Sequence, residues 1–117
     1  MTGVEKLTHV QRATLIRDQN DAFRRCPIGG KVMLTQGVVA KFGHDASGLM
    51  LAVADFDDFS KDNDPYGEHD FGSLSLQGEV VFWKIDYYDR NLTNGSPDPT
   101  DPSVTIRVLT VMLACEY

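Results

Sequence analysis

The sequence predicts a single α+β domain, residues 1–117, in which two helices pack on one face of an antiparallel sheet of about four strands. One observation is an amphipathic pattern of helical period over residues 8–26. A second is a pair of strand-like segments, residues 71–77 and 79–89, separated by a turn. The third is composition: 42% hydrophobic and 24% charged residues are typical of a globular domain of this length.

The first predicted element is a helix over residues 8–26. Its apolar residues recur at helical spacing and include Val10, Ala13, Ile16 and Phe23. Thr8 is a suitable N-cap, and Pro27 cannot continue the helix. The helix therefore begins and ends at recognisable signals.

Two further elements are predicted before the hairpin. Residues 31–41 (KVMLTQGVVAK) are rich in β-branched residues and lie between glycines, which predicts a strand with Gly37 as a bulge. Residues 46–58 predict a second helix. Its apolar stripe consists of Leu49, Met50, Val53 and Phe56.

The strand over residues 79–89 (EVVFWKIDYYD) is the clearest in the chain, and Gln77-Gly78 connects it to the strand over residues 71–77. It is apolar on both faces near its middle, so we expect a central strand covered on both sides. The alternative is an exposed aromatic face that binds a partner.

The end of the chain has two possible structures. Residues 91–102 contain three prolines and form a connector. Asp101 and Pro102 would suit a helix start, whereas the alternating β-branched residues of 103–116 favour a strand. We expect the strand.

The expected location of the protein, and the redox state of its cysteines, follow from the apolar segments that the sequence lacks. No apolar run approaches the length of a membrane span, and the amino terminus lacks the apolar core of a secretory signal. We therefore expect a cytoplasmic protein without membrane contact. In that compartment Cys26 and Cys115 are expected to be free thiols.

The net charge of −6 is unevenly distributed. Residues 1–31 carry +3, and the remaining residues carry −9. The main body would repel phosphate groups, which disfavours direct binding of nucleic acid. A protein partner with a basic surface would be attracted instead, and an oligomer remains possible.

Much of the negative charge falls in residues 55–72 (DFDDFSKDNDPYGEHDFG), here named the acidic segment. A metal site could draw on Glu68, His69, Asp70 and Asp86, but the first three are consecutive. Neighbouring side chains of an extended chain point to opposite faces, and no HxxxH, HExxH or paired-cysteine spacing is present. The EF-hand pattern also fails, because Ser73 falls where the distal glutamate belongs. We therefore expect neither a metal nor another cofactor.

General acid–base chemistry is a second possibility, because histidine titrates near neutral pH. The sequence offers no accompanying nucleophile motif or glycine-rich anion cradle. A small metal-dependent hydrolase or nuclease that uses His69, Asp70 and Asp86 is therefore the alternative function. Without catalysis, residues 63–67 would form a structural turn in which Asn or Asp bonds the backbone.

Four segments, NDPYGEHDFG, FWKIDYYD, GSPDPTDP and RVLTVMLACEY, occur in this order. Over roughly residues 15–117 the chain resembles a family of short bacterial proteins catalogued only as a domain of unknown function. The resemblance implies a plasmid, phage or other mobile-element context, and it supplies no activity, cofactor or catalytic residue. Mobile elements encode small acidic inhibitors of host defences, which suggests an anti-restriction or anti-CRISPR type of function by analogy.

The leading hypothesis is a non-enzymatic protein-interaction module whose acidic, aromatic surface binds a basic surface. Phosphate mimicry would direct it to the nucleic-acid-binding face of a defence nuclease or effector complex. The predicted partner-binding residues are Asp57, Asp58, Asp62, Asp64, Tyr66, Glu68, His69, Asp70, Tyr88 and Asp89.

Overall fold

The fold was obtained as a computed structural model, which describes residues 6–117. Its helices are α1 (His9–Arg25), α2 (Gln36–Phe42) and α3 (Ala46–Ala54). Its strands are β1 (Lys31–Leu34), β2 (Phe71–Leu76), β3 (Glu79–Tyr88) and β4 (Ile106–Leu113). Short 3-10 turns lie at Gly43–Asp45, Pro102–Val104 and Ala114–Glu116.

The four strands form one sheet in the order β1-β4-β3-β2. The pairs β2–β3 and β3–β4 are antiparallel, but β1 runs parallel to β4, with Lys31 opposite Val108. The α+β class is thus correct, whereas the purely antiparallel sheet is wrong. Alternation along a strand shows which face is buried, but it does not show the direction of a neighbour that is distant in sequence.

The prediction of α1 is confirmed. The Thr8 hydroxyl accepts from the backbone N–H of Gln11, and the Gln11 side chain accepts from the backbone N–H of Thr8. This reciprocal capping box satisfies two amide donors at the start of the helix. Its buried residues are Ile16, Asn20, Phe23 and Arg24.

The predicted strand over residues 31–41 is wrong beyond Leu34. Thr35 caps α2 by accepting from the amide of Val38, and its hydroxyl donates to Oε1 of Glu116 at 2.6 Å. Gly37 is therefore helical rather than a bulge, and its amide donates to Oε2 of Glu116. A contact with the far end of the chain overrides the β-branched composition of this segment.

The helix predicted over residues 46–58 ends earlier, at Ala54. Nη1 of the Arg24 guanidinium donates there to the carbonyls of Val53, Ala54 and Phe56, so these carbonyls accept from a side chain instead of from a further helix turn. A side chain from α1 thus caps the C-terminal end of α3, and the chain leaves the helix as the acidic segment begins.

The main core lies between the helices and one face of the sheet. The fully buried Trp83 forms its centre with Val81, Ile85, Leu109 and Val111 from the sheet, and with Phe23, Leu49 and Val53 from the helices. On the other face of β3, Val80 is exposed and Phe82, Lys84, Asp86 and Tyr88 are half-buried. The expectation that β3 is covered on both faces is therefore wrong.

The last segment of the sequence forms a strand, as expected. Residues 106–113 form β4 between two short helical turns, so the strand prediction for this segment is confirmed. Across residues 6–117, no helix has the length and apolar character that crossing a bilayer requires.

Candidate functional site

The acidic segment connects α3 to β2 and is held at its start by aromatic packing. The ring of Phe56 meets the Trp83 indole edge-on at 5.5 Å, and the ring of Phe59 meets it at 6.1 Å. Phe56 and Phe59 also pack on each other at 5.0 Å. The phenylalanines that alternate with aspartates in the sequence thus anchor the segment to the core and turn the aspartates outward.

Asn63 fixes the middle of the segment through its side chain. Its Oδ1 accepts from the amide of Ser60 at 2.7 Å, and its Nδ2 donates to the carbonyl of Asp58 at 2.7 Å. The amide of Gly67 donates to the carbonyl of Asp64, with Gly67 at a φ of 69°. The turn inferred from NDPYG is present, and its amide side chain holds the backbone in one conformation.

The first half of the segment displays negative charge to solvent. Its exposed carboxylates are Asp55, Asp57, Asp58 and Asp62. Within residues 6–117, none of these four takes part in an ion pair. The single cation of the segment, Lys61, is also exposed and forms no ion pair there. A fixed backbone therefore presents carboxylates that form no ion pair among residues 6–117.

The second half folds against α1 through His69. Nδ1 of the imidazole lies 2.9 Å from Oδ1 of Asp21, and Nε2 lies 3.6 Å from Oδ2 of Asp64. The ring stacks on Phe59, with 3.7 Å between centroids and 5° between planes. His69 has a φ of 54°, and its amide donates to Asp64. Both ring nitrogens face carboxylates, and the hydrogen bond between Nδ1 and Asp21 ties this half of the segment to α1.

A buried polar network lies beside this histidine, with Asn20 at its centre. Nδ2 of Asn20 donates to the Tyr87 hydroxyl at 2.8 Å, and its Oδ1 accepts from Nε of Arg107 at 2.7 Å. The Tyr87 hydroxyl donates in turn to Oε1 of Glu68 at 3.0 Å. Burial raises the pKa of Tyr87 well above its ordinary value, with repulsion from Asp70 and Glu68 adding to the shift. The phenol therefore remains a neutral donor at neutral pH.

Asp70 lies where its ionised carboxylate is disfavoured. Burial raises the pKa of its carboxyl, and the neighbouring charges of Glu68, Asp64 and Asp86 raise it further. Desolvation and like charge both disfavour the ionised carboxylate, so this group costs stability at neutral pH.

The predicted partner-binding residues divide into three groups. Asp57, Asp58, Asp62 and Tyr66 are exposed, and Tyr66 is 82% exposed. Asp64, Glu68, His69 and Asp70 are half-buried: His69 contacts Asp21 of α1, Asp64 contacts His69, and Glu68 accepts from Tyr87. Tyr88 and Asp89 lie apart from both: Tyr88 lines a groove with Met33 and Thr110, and Asp89 accepts from Thr93 in the connector.

The structure does not bring His69 and Asp86 of the hydrolase alternative together, although the pKa of Asp70, which burial raises, is raised further by the nearby charge of Asp86. Asp86 pairs with Lys84 at 3.0 Å, on the face of β3 opposite to Trp83, while His69 faces Asp21 and Asp64. Over the described part of the chain, residues 6–117, no three His, Cys, Asp or Glu side chains converge as metal ligands would.

Three important residues of the site, Asn20, Asp21 and Arg24, were not identified from the sequence. Their signal was the helical stripe itself, because Asn20 and Arg24 lie four and eight residues after the buried Ile16. Polar residues on the apolar stripe of a helix indicate buried hydrogen bonding.

The fold and site together define a small α+β domain with a mixed four-stranded sheet and a charged segment fixed against its first helix. The family described as "Protein of unknown function (DUF3768)" matches residues 34–116, and the chain belongs to this family. The match spans the acidic segment and strands β2 to β4, but α1 lies outside it. No curated protein and no solved structure matches the chain.

Proposed function

We propose that this protein is a non-enzymatic interaction module that binds a basic surface of another protein. The observation that carries the proposal is the exposed half of the acidic segment. Asp55, Asp57, Asp58 and Asp62 face solvent without an ion-pair partner among residues 6–117. They lie on a backbone that Phe56, Phe59 and Asn63 hold in place.

Rigidity is what distinguishes this surface from an ordinary charged loop. A partner that binds a fixed set of carboxylates loses little conformational entropy on the side of this chain. The negative field of residues 32–117, which carry −9, would also steer a basic partner toward it. These properties favour fast association that weakens as salt concentration rises.

The finer proposal concerns the partner. A row of carboxylates resembles the charge of a phosphate backbone, so the natural target is a basic surface that normally binds nucleic acid. We place this chain among the acidic inhibitors encoded by mobile elements, of the anti-restriction or anti-CRISPR type. The target would then be a defence nuclease or effector complex, and Tyr66 would add an aromatic contact beside the carboxylates.

The experiment compares two variants that lose the same charge. The test variant carries Asp57→Asn, Asp58→Asn and Asp62→Asn. The control carries Asp18→Asn, Asp45→Asn and Glu79→Gln, which lie outside the acidic segment. Each protein is immobilised, exposed to lysate from bacteria that carry plasmid-borne defence systems, and eluted with double-stranded DNA. Retained proteins are identified by mass spectrometry, and the affinity of the principal one is measured by calorimetry.

We expect wild type and control to retain basic nucleic-acid-binding proteins that DNA displaces. The test variant should bind the identified partner at least about tenfold more weakly, because three surface charge contacts are lost. Equal retention by the test variant, or partners that DNA does not displace, would contradict the proposal.

A further inference from the structure

A cleft of about 460 Å³ lies between the C-terminal end of α1, the following turn and the inward face of β4. Its polar lining includes Gln19, Thr105, Arg90 and Arg107, and its apolar lining includes Phe23 and Ile28. The volume is within the range of small-molecule sites. Among residues 6–117, no carboxylate lines this cleft, although the chain as a whole carries a net charge of −6.

Arg107 is the unusual residue of the cleft, because it is buried without a counter-ion. It is 7% exposed; its Nε donates to the Asn20 amide and its Nη2 donates to the carbonyl of Pro99 at 2.9 Å. These acceptors are neutral, and the ion pairs of residues 6–117 do not include Arg107. Buried charges are normally paired, since desolvation otherwise disfavours the charged form.

Arg24 shows how the same fold treats a buried guanidinium whose role is structural. It is 1% exposed, but it forms an ion pair with Asp21 at 2.9 Å and donates to three carbonyls. For Arg107, burial lowers the pKa, while the Tyr87 ring, 5.2 Å from the guanidinium, and the charge of Glu68 favour the charged form without forming an ion pair. An anion in the cleft would give Arg107 the counter-charge that Asp21 gives to Arg24.

Arg90 brings a second cation to the same cleft. Its side chain is exposed and forms no ion pair within the described residues. The carbonyl end of α1 is close by and repels anions with roughly half an elementary charge. Two complete guanidinium charges exceed that repulsion, so the local field favours an anion.

We propose that this cleft binds a small organic oxyanion, with its carboxylate or phosphate group at Arg90 and Arg107 and its apolar body against Phe23 and Ile28. Arginine suits such groups because its planar fork donates two parallel hydrogen bonds to an oxyanion. Ile28 is 82% exposed beside the cleft, and a ligand body would cover it. This site is separate from the acidic segment, so the two proposals are independent.

The test uses four probes of graded chemistry with the full chain. Benzoate and phenyl phosphate each present an oxyanion on an aromatic body, benzamide has nearly the shape of benzoate without its charge, and inorganic phosphate has no body. Binding is measured by calorimetry and by amide chemical shifts. We expect the two aromatic anions to bind and to shift amides around Ile28 and Arg107. Their relative affinities show whether the site prefers a carboxylate or a phosphate.

Variants of exposed side chains keep the fold intact and locate the site. Arg90→Gln should weaken binding of the preferred anion roughly tenfold, the loss of one charge-assisted contact. Ile28→Glu should abolish binding by placing a carboxylate in the cleft. The control Arg17→Gln removes an arginine of α1 that pairs with Asp18 outside the cleft, and it should bind as wild type does. Thermal unfolding verifies that each variant is folded.

Three results would overturn the proposal. One is the absence of binding by both aromatic anions at millimolar concentration. Another is benzamide binding as tightly as benzoate, which would remove the role of charge. The third is wild-type affinity in both Arg90→Gln and Ile28→Glu. Inorganic phosphate binding as tightly as phenyl phosphate would overturn the apolar part of the assignment.

Discussion

Nδ1 of His69 lies 2.9 Å from Oδ1 of Asp21, a residue 48 positions earlier in the chain. The same oxygen accepts from Nη2 of Arg24 at 2.9 Å. One carboxylate of α1 therefore holds both the second half of the acidic segment and the guanidinium that caps α3. The position of the displayed charges depends on a helix that lies outside the matched family region.

Asp21→Asn tests this dependence. The substitution keeps the shape of the side chain but removes the charge that compensates the fully buried guanidinium of Arg24. We expect the free energy of unfolding to fall by about 2–3 kcal/mol, less than for a completely orphaned charge because Arg24 keeps its carbonyl acceptors. Urea denaturation followed by tryptophan fluorescence measures the change.

The matched control for this prediction is Asp18→Asn on the same helix. Asp18 pairs with Arg17 on the surface, so its removal should change stability by less than about 0.5 kcal/mol. Equal effects of the two substitutions would show that the contact between Asp21 and Arg24 contributes nothing particular.

Gly72 is predicted to be irreplaceable because of close packing. A Cβ atom at this position would collide with the indole of Trp83, which is fully buried at the centre of the core. We expect Gly72→Ala to destabilise the protein by about 2–4 kcal/mol. Gly48→Ala provides the comparison, because nothing lies within 4 Å of its added Cβ in α3. That substitution should stabilise the helix by about 0.5–1 kcal/mol. In thermal unfolding, the Tm should therefore fall for Gly72→Ala and rise for Gly48→Ala.

Asp70 gives the protein a pH dependence of stability with a defined sign. Burial, then repulsion from Glu68, raises the pKa of this carboxyl in the folded state. The folded state therefore holds its proton more tightly than the unfolded state. The resulting contribution to stability is complete below the unfolded pKa, about 4, and is lost as pH rises through the folded value.

Asp70→Asn should accordingly be more stable than wild type at pH 7, and this advantage should shrink as the pH falls toward the unfolded pKa. Denaturant midpoints of both proteins, measured across the acidic range, give the difference. Asp58→Asn, at an exposed carboxylate, should change stability by less than about 0.5 kcal/mol at pH 7. A variant of Asp70 that is less stable at neutral pH would contradict the prediction.

Thr35 should couple energetically to Glu116, 81 residues later. Thr35→Ala removes both the N-cap of α2 and the hydroxyl that donates to Glu116, and should cost about 1 kcal/mol. Thr35→Ser keeps the hydroxyl and should remain close to wild type. In the double variant with Glu116→Gln, the combined loss should be smaller than the sum of the single losses. Strict additivity would show that the hydrogen bond between the two side chains carries no energy.

The sequence predicted well wherever a segment determines its own structure. The N-cap at Thr8, the hairpin turn at Gln77-Gly78 and the Asn63 turn all depend on residues within a few positions of each other. The alternation of β-branched residues over 106–113 likewise predicted the strand that the structure contains. The errors fell where distant parts of the chain meet: Glu116 at the start of α2, Arg24 at the end of α3, and β1 beside β4.

For the candidate site, the sequence by itself determined where the negative charge is concentrated, because charge is a property of composition. It also determined that aromatic residues alternate with these charges. Only the tertiary structure decided which carboxylates are displayed and which are buried. Trp83 packs against Phe56 and Phe59 and turns their neighbours outward, whereas Asp21 and Asn20 draw His69 and Glu68 inward. The buried Arg107 and its cleft have the same origin, since burial without a counter-charge arises only when distant segments pack together.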